Sequence, residues 1–417
     1  MFRPLTTRLL DSWPGRQGAE WWESSTTRCE RGGMILLALI CLTNIFSTAL
    51  VQTFVVMLTL VVVGCLLSLR PVVFRRTPLD LPYLVFILGR IISLVFSQDP
   101  ARSFPALYLE YYFYIVFFLV TQSLRRNEIT ATQVLTMILA GAGAVAALTG
   151  TLKVLFSLEL RGSSTTAGPY TLGGYLCALL PLALLLPLHD EKRGGGRWQW
   201  LAVLAMCVGI VFTYDRIHWT AMALTLVVAL VFSRKRMPVI VLCCALLLSL
   251  SLPSLRLRVE ELVNIGEVTS GRDVLWRGAL LLIKEHPLVG FGPRSFGSIF
   301  PLFAEMPVRG VGSWHNDYLQ VYLDSGLIGL LPLLWLVVAT YIHGWRSMRS
   351  SAMPPQTRRV IVSLLLSMSV VFLVGGVLDT LVGILFRILL GLFALLVSPP
   401  DSPLQASREG MSGARTR

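Results

Sequence analysis

The sequence predicts an all-α, polytopic integral membrane protein of about 12 transmembrane helices, with one large loop before the last three. Three observations lead there. Only 14% of the 417 residues are charged, against 54% hydrophobic, and the mean hydropathy is +0.70. A soluble domain carries roughly a quarter charged residues. Apolar runs of spanning length recur along most of the chain, and the Lys and Arg residues gather in the short connectors between them. The net charge of +13 is therefore a topological signal, and nucleic acid is not expected as a partner.

Residues 1–33 form a tail with five arginines and three tryptophans. It lacks a small-residue cleavage site after an apolar core, so a retained, interfacial tail is expected. Nine spans follow within residues 34–252, at 34–50, 52–69, 79–97, 104–122, 131–156, 171–188, 198–213, 217–233 and 237–252. The large loop covers 253–317. Spans at 318–342, 360–377 and 380–397 complete the set, and residues 398–417 have the composition of a disordered tail. With the N-terminus inside, the inner connectors hold fifteen Lys and Arg, whereas the short outer ones hold only Arg102, Arg161 and Arg216. Both termini are thus expected in the cytoplasm and the large loop outside, in the periplasm of a Gram-negative cell.

None of the seven cysteines falls in the large loop and no C-x-x-C occurs. A disulfide scaffold or a thiolate metal site is not indicated, and the cysteines read as small buried hydrophobes. The chain has no P-loop, dinucleotide fingerprint, H-E-x-x-H, G-x-S-x-G or D-x-D, so neither a nucleotide-driven nor a metal-dependent reaction is signalled.

Chemistry concentrates between Gly271 and Gly329, which holds two of the five histidines together with Arg272, Arg277, Lys284, Arg294 and Arg309. Leu275, Ala279, Leu282 and Ile283 recur at helical spacing over Arg272–Glu285, Pro287 stops that helix, and Gly290-Phe-Gly-Pro293 is turn chemistry. His315 stands beside Asn316 at the mouth of a span, where a neutral imidazole accepts a proton from a hydroxyl; a helix cap is the plainer reading. Arg216, in TYDRIHW, is a phosphate-binding guanidinium, a lipid-phosphate anchor or a salt-bridge partner of Asp215. His218 is a weaker candidate. Arg272 and Arg277 are five apart and point away from each other; Arg272 adds to a helix N-terminal dipole. Arg161 and Arg294 line the approach. Arg90, Lys153 and Arg387 fall inside spans, where charge is costly and is paired or functional. Glu110 is one conceivable partner, and a transporter is the rival reading of these charges.

The motifs GRDVLWRGALLLIKEHPLVGFGPRSFG and HNDYLQVYLDSGLIGLLPLLW, with TYDRIHW before them, resemble the O-antigen ligase and polymerase superfamily of bacterial membrane glycosyltransferases. The resemblance implies a GT-C-like fold and transfer of a glycan from undecaprenyl diphosphate to a sugar hydroxyl, without metal or cofactor. It implies catalytic roles for Arg216, Arg272 (or Arg277) and His315, and matches Asn316 and Asp324 to motif positions at the substrates, where Arg161, Arg277 and Arg294 are also expected. Asp215-Arg216-Ile217 departs from the family's usual Ser-Arg-Gly. A ligase would pass the glycan to lipid A–core, a polymerase to another lipid-linked repeat. The single dominant loop favours the ligase. A non-enzymatic polyprenyl-glycan transporter is the remaining alternative.

Overall fold

The computed structural model describes residues 30–68, 74–124, 128–185, 196–232, 240, 272–306 and 312–398. Among these residues there is no strand. The long helices are α1 (30–43), α2 (Thr48–Ser68), α3 (Asp80–Val95), α4 (Ile115–Ser123), α5 (Glu128–Leu155) and α6 (Pro169–Leu185). There follow α7 (Gly196–Phe212), α8 (Arg216–Phe232), α9 (Arg272–Leu282), α10 (Asp317–Arg349), α11 (Pro355–Val374) and α12 (Thr380–Val397). Six helical stretches are long and apolar enough to cross a membrane, and α6, α7 and α8 are shorter apolar helices. The architecture is polytopic and all-helical. Of the expected spans, 237–252 lies outside the described residues but for Ile240, as do the two terminal tails except at their inner edges.

Two helices organise the bundle. α6 is buried at every residue from Leu172 to Leu184, and α12 at every residue from Leu381 to Leu396. A helix apolar on all sides belongs in the interior, and over these stretches both are apolar nearly all round, Arg387 of α12 being the charged exception. α6 packs on α5, α7, α8 and α11, while α12 packs on α4 and α11. By contrast α2, equally apolar, keeps most of its surface exposed, as a lipid-facing helix does. Cys41, Cys177 and Cys207 are buried. Cys65 takes part in a disulfide, which corrects the reading of every cysteine as a buried hydrophobe.

Two spans expected to be continuous are broken. Residues 104–122 divide into a turn at Ala106–Leu109, a 3-10 turn at Tyr111–Tyr114 and α4, with Glu110 between at φ −130°. Pro100 opens the turn Pro100–Ser103 and Pro105 caps the next. Each ring fixes φ and removes a donor, which separates the Pro100–Ser103 turn from the one that follows Pro105. α10 breaks at Gly326, whose φ 58° and ψ −155° suit only a residue without Cβ. The amphipathic loop helix ends at Leu282, three residues before the expected Glu285, and a turn closes with Glu285 N–H donating to Leu282 O.

The α10 break ties the large loop to the bundle. Interrupting a helix frees backbone groups that then need partners. Residues 287–292 supply them: Phe291 N donates to Leu323 O at 2.8 Å and Gly292 N to Asp324 O at 2.9 Å. In return Leu327 N donates to Pro287 O at 2.8 Å and Ile328 N to Leu288 O at 3.1 Å. A Cβ on Gly326 would collide with Leu288 O. The loop carries a small core of its own, in which Val274, Leu275, Ala279 and Leu282 of α9 meet Phe291, Phe296, Phe300, Trp314 and Leu323.

Candidate active site

Beside this cap lies a cavity of about 890 Å³. His315, Asn316, Asp317 and Gln320 line it from the head of α10, Gly375–Thr380 from the α11–α12 turn, and Tyr170 from the head of α6. Arg102, Glu110 and Arg294 close it on the cap side. The local sequence explains the α10 head. Asn316, in extended backbone, caps the helix by accepting Leu319 N–H on its side-chain oxygen at 3.0 Å. One residue earlier His315 takes φ 50°, a conformation that costs a β-substituted residue energy. Asp317, one residue later, accepts Gly376 N–H and Val377 N–H on Oδ2, both at 2.7 Å. The turn is thus pinned to the α11–α12 connection, and His315 is left exposed to the cavity.

Behind His315 is a second polar group. The Tyr170 ring lies 6.3 Å from the His315 ring and 5.0 Å from that of His218, and its hydroxyl donates to Val374 O at 2.8 Å. His218 is fully buried, 3.7 Å from Asp215 Oδ2, in space that a Cβ on Gly173 would occupy. Asp215 also meets Arg161 Nη2 at 3.6 Å, while Arg161 Nε donates to Thr213 O at 2.7 Å. Asp215 therefore turns to Arg161 and His218. Burial, then the charge of Arg272, pushes the His315 imidazole below its ordinary range, with Asp215 opposing. The head of α10 is thus suited to a neutral imidazole beside a cation.

The candidate residues divide accordingly. His315, Asn316, Arg294 and Asp324 line the cavity. Arg272 opens α9 and acts on His315, whereas Arg277 turns outward to Glu305 at 3.0 Å. Arg216 is half-buried and opens α8. Glu110 pairs with Arg294 at 3.5 Å rather than with a charge inside a span. Those intraspan charges find other partners. Arg90 meets Asp324, Lys153 meets Glu159 at 3.0 Å, and Arg387 stacks on Tyr114 at 4.4 Å. Asp324, expected at the substrate, spends its carboxylate on Arg90 and Gln320. Tyr170 and Gln320 were missed; Gln320 stands five residues after His315, and Tyr170 carried no signal beyond opening a span. Among the described residues no group of three His, Cys, Asp or Glu is arranged to hold a metal ion.

Residues 201–336 match the profile of the family described as O-Antigen ligase. Over that segment the chain is similar to the O-antigen ligase family. The match spans Arg216, α9, the cap and His315. It does not reach Arg90, Arg161 or Tyr170, which other parts of the chain bring to the same end of the bundle. No curated protein matches the sequence.

Proposed function

We propose that the chain is a membrane glycosyltransferase of the ligase type. It moves a glycan from undecaprenyl diphosphate to a sugar hydroxyl of lipid A–core, on the periplasmic face of the inner membrane, with both termini cytoplasmic. The observation that carries this reading is His315: an imidazole held at positive φ in a large polar cavity, with its basic form favoured by burial and by Arg272. His315 takes the proton of the acceptor hydroxyl as that oxygen attacks the anomeric carbon. The hydroxyl oxygen gains the glycosyl group with inversion, and the diphosphate leaves with the electron pair of the broken bond. Arg272 and Arg216 meet the charge that grows on it. Asn316 and Arg294 face the sugars, and no metal or nucleotide is needed because the donor is already activated.

Membranes carrying His315→Ala or Arg216→Lys, assayed for glycan transfer, test the reading. Transfer should fall on the order of 10²-fold or more for His315→Ala. Full transfer by both variants overturns the mechanism. Loss of the gene should leave long polymer on undecaprenyl diphosphate; single repeats accumulating instead would identify a polymerase.

A further inference from the structure

Arg90 is buried in α3, far in sequence from the family segment. Both of its terminal nitrogens donate to Asp324 Oδ2 at 3.1 Å, and Nη1 also donates to Ser325 Oγ at 3.0 Å. The other carboxylate oxygen of Asp324, Oδ1, accepts from Gln320 Nε2 at 2.8 Å. Gln320 Oε1 in turn accepts the backbone N–H of Trp314 at 3.1 Å. The four groups form an unbroken series of hydrogen bonds. It runs from the bundle interior to the backbone N–H of Trp314, the residue before His315.

That stretch of backbone is where positioning is required. His315 holds φ 50°, and a non-glycine residue remains there only when its surroundings over-determine it. On its other side the turn is held by the Asn316 cap and the Asp317 contacts to Gly376 and Val377. On this side Gln320 supplies the hydrogen bond, and Trp314 locks the same residue by its ring, buried between Phe296 and Phe300. Gln320 can serve Trp314 only if its amide is turned so that the oxygen faces the N–H, and Asp324 makes that choice by taking the amide NH₂. Asp324 is itself held by a fork-shaped cation that orients a carboxylate.

We propose that Arg90, Asp324 and Gln320 are positioning residues that set the backbone of the His315 turn, and through it the aim of the imidazole at the acceptor hydroxyl. The proposal rests on the glycosyltransferase reading above. It reassigns Asp324 from a substrate contact to the middle of a relay.

The test uses the full-length protein in proteoliposomes, with a polyprenyl-diphosphate-linked glycan as donor and a lipid-linked oligosaccharide as acceptor. Gln320 is half-buried, so Gln320→Met keeps the volume and removes both hydrogen bonds. It should lower kcat about tenfold and leave both KM values within about twofold, because a small misalignment is costly in rate. Asp324→Asn should do the same, and the double variant should lose no more than the worse single, since the residues act as one unit. The acid limb of the kcat profile should also move in Gln320→Met, because the imidazole shifts relative to Arg272, Asp215 and Tyr170 around it; a purely structural role would leave that limb in place. Gln320→Met at wild-type kcat, or a double variant losing the product of the two singles, overturns the proposal. If His315→Ala retains transfer, the parent reading fails instead; His315→Ala inactive beside a fully active Gln320→Met sinks the relay alone.

Discussion

The bundle interior and the cap over the cavity are both apolar cores, but they are built differently. Around α6 and α12 the core is continuous, and whole helices are buried over more than three turns. The cap core is one cluster of nine buried residues around Trp314, Phe296 and Phe300. Phe296 and Phe300 stack at 5.0 Å, and each meets the Trp314 ring edge-on at 4.8 and 5.6 Å. The cap holds to the bundle through the backbone bonds at the α10 break and a few polar contacts to residues 97–103. Gln98 N donates to Phe291 O at 3.0 Å and Ser103 Oγ to Pro293 O at 2.6 Å. Redundant burial makes the bundle tolerant, whereas the cap depends on single groups. The candidate histidine sits where the two meet, a sensible place for a group that must be held rigidly yet reached by large substrates.

Four experiments would break or sharpen that contrast. Arg90→Met should have the largest effect on stability. Removing one partner of a buried ion pair leaves the other uncompensated, at about 3–5 kcal/mol, and Arg90 and Asp324 are both nearly inaccessible. Thermal unfolding in detergent reads it, and an unchanged midpoint would mean that the bundle relaxes around a lone carboxylate. Trp314→Ala should cost about 3–5 kcal/mol as well, but locally. Hydrogen exchange should rise in 272–306 and remain slow in α12. Equal acceleration in both would show that the cap and bundle unfold as one unit.

The third concerns pH. The depressed His315 imidazole stays neutral to lower pH than an ordinary histidine. The acid limb of transfer should therefore have its midpoint below about 6.5. Removing the neighbouring cation with Arg272→Gln should move that midpoint up, even as overall transfer falls. A downward shift would show that Arg272 does not face the imidazole. The smallest effect is expected from Arg277→Ala. Its pair with Glu305 is exposed on both sides, and such pairs contribute about 0–1 kcal/mol. A large loss of transfer in that variant would make Arg277 the donor-binding arginine of α9.

Much of this was readable in the chain. Hydropathy located the helices because each apolar run must hide its own backbone polar groups, and helix formation does so locally. Eleven of the twelve expected segments are helical over most of their length among the described residues. The stop of α9 was legible from Pro287, whereas the cap before α10, expected at His315, is supplied by Asn316. The motif-bearing stretch was also legible, since histidine, asparagine and arginine crowd where an apolar run begins. What the sequence by itself determined were these local properties: which runs are helical, and which residue types wait at their ends.

The pairings were decided by the tertiary structure. Arg90 with Asp324, Glu110 with Arg294, Asp215 with Arg161 and His218, and Tyr170 beside His315 all join residues whose separation no periodicity encodes, except for Asp215 and His218. The break at Gly326 likewise made sense only once residues 287–292 were seen to take up the freed backbone groups. Propensity and patterning act over a few residues. The choice of partner for a buried charge depends on which helices pack together, and that is settled by the shape of the whole bundle.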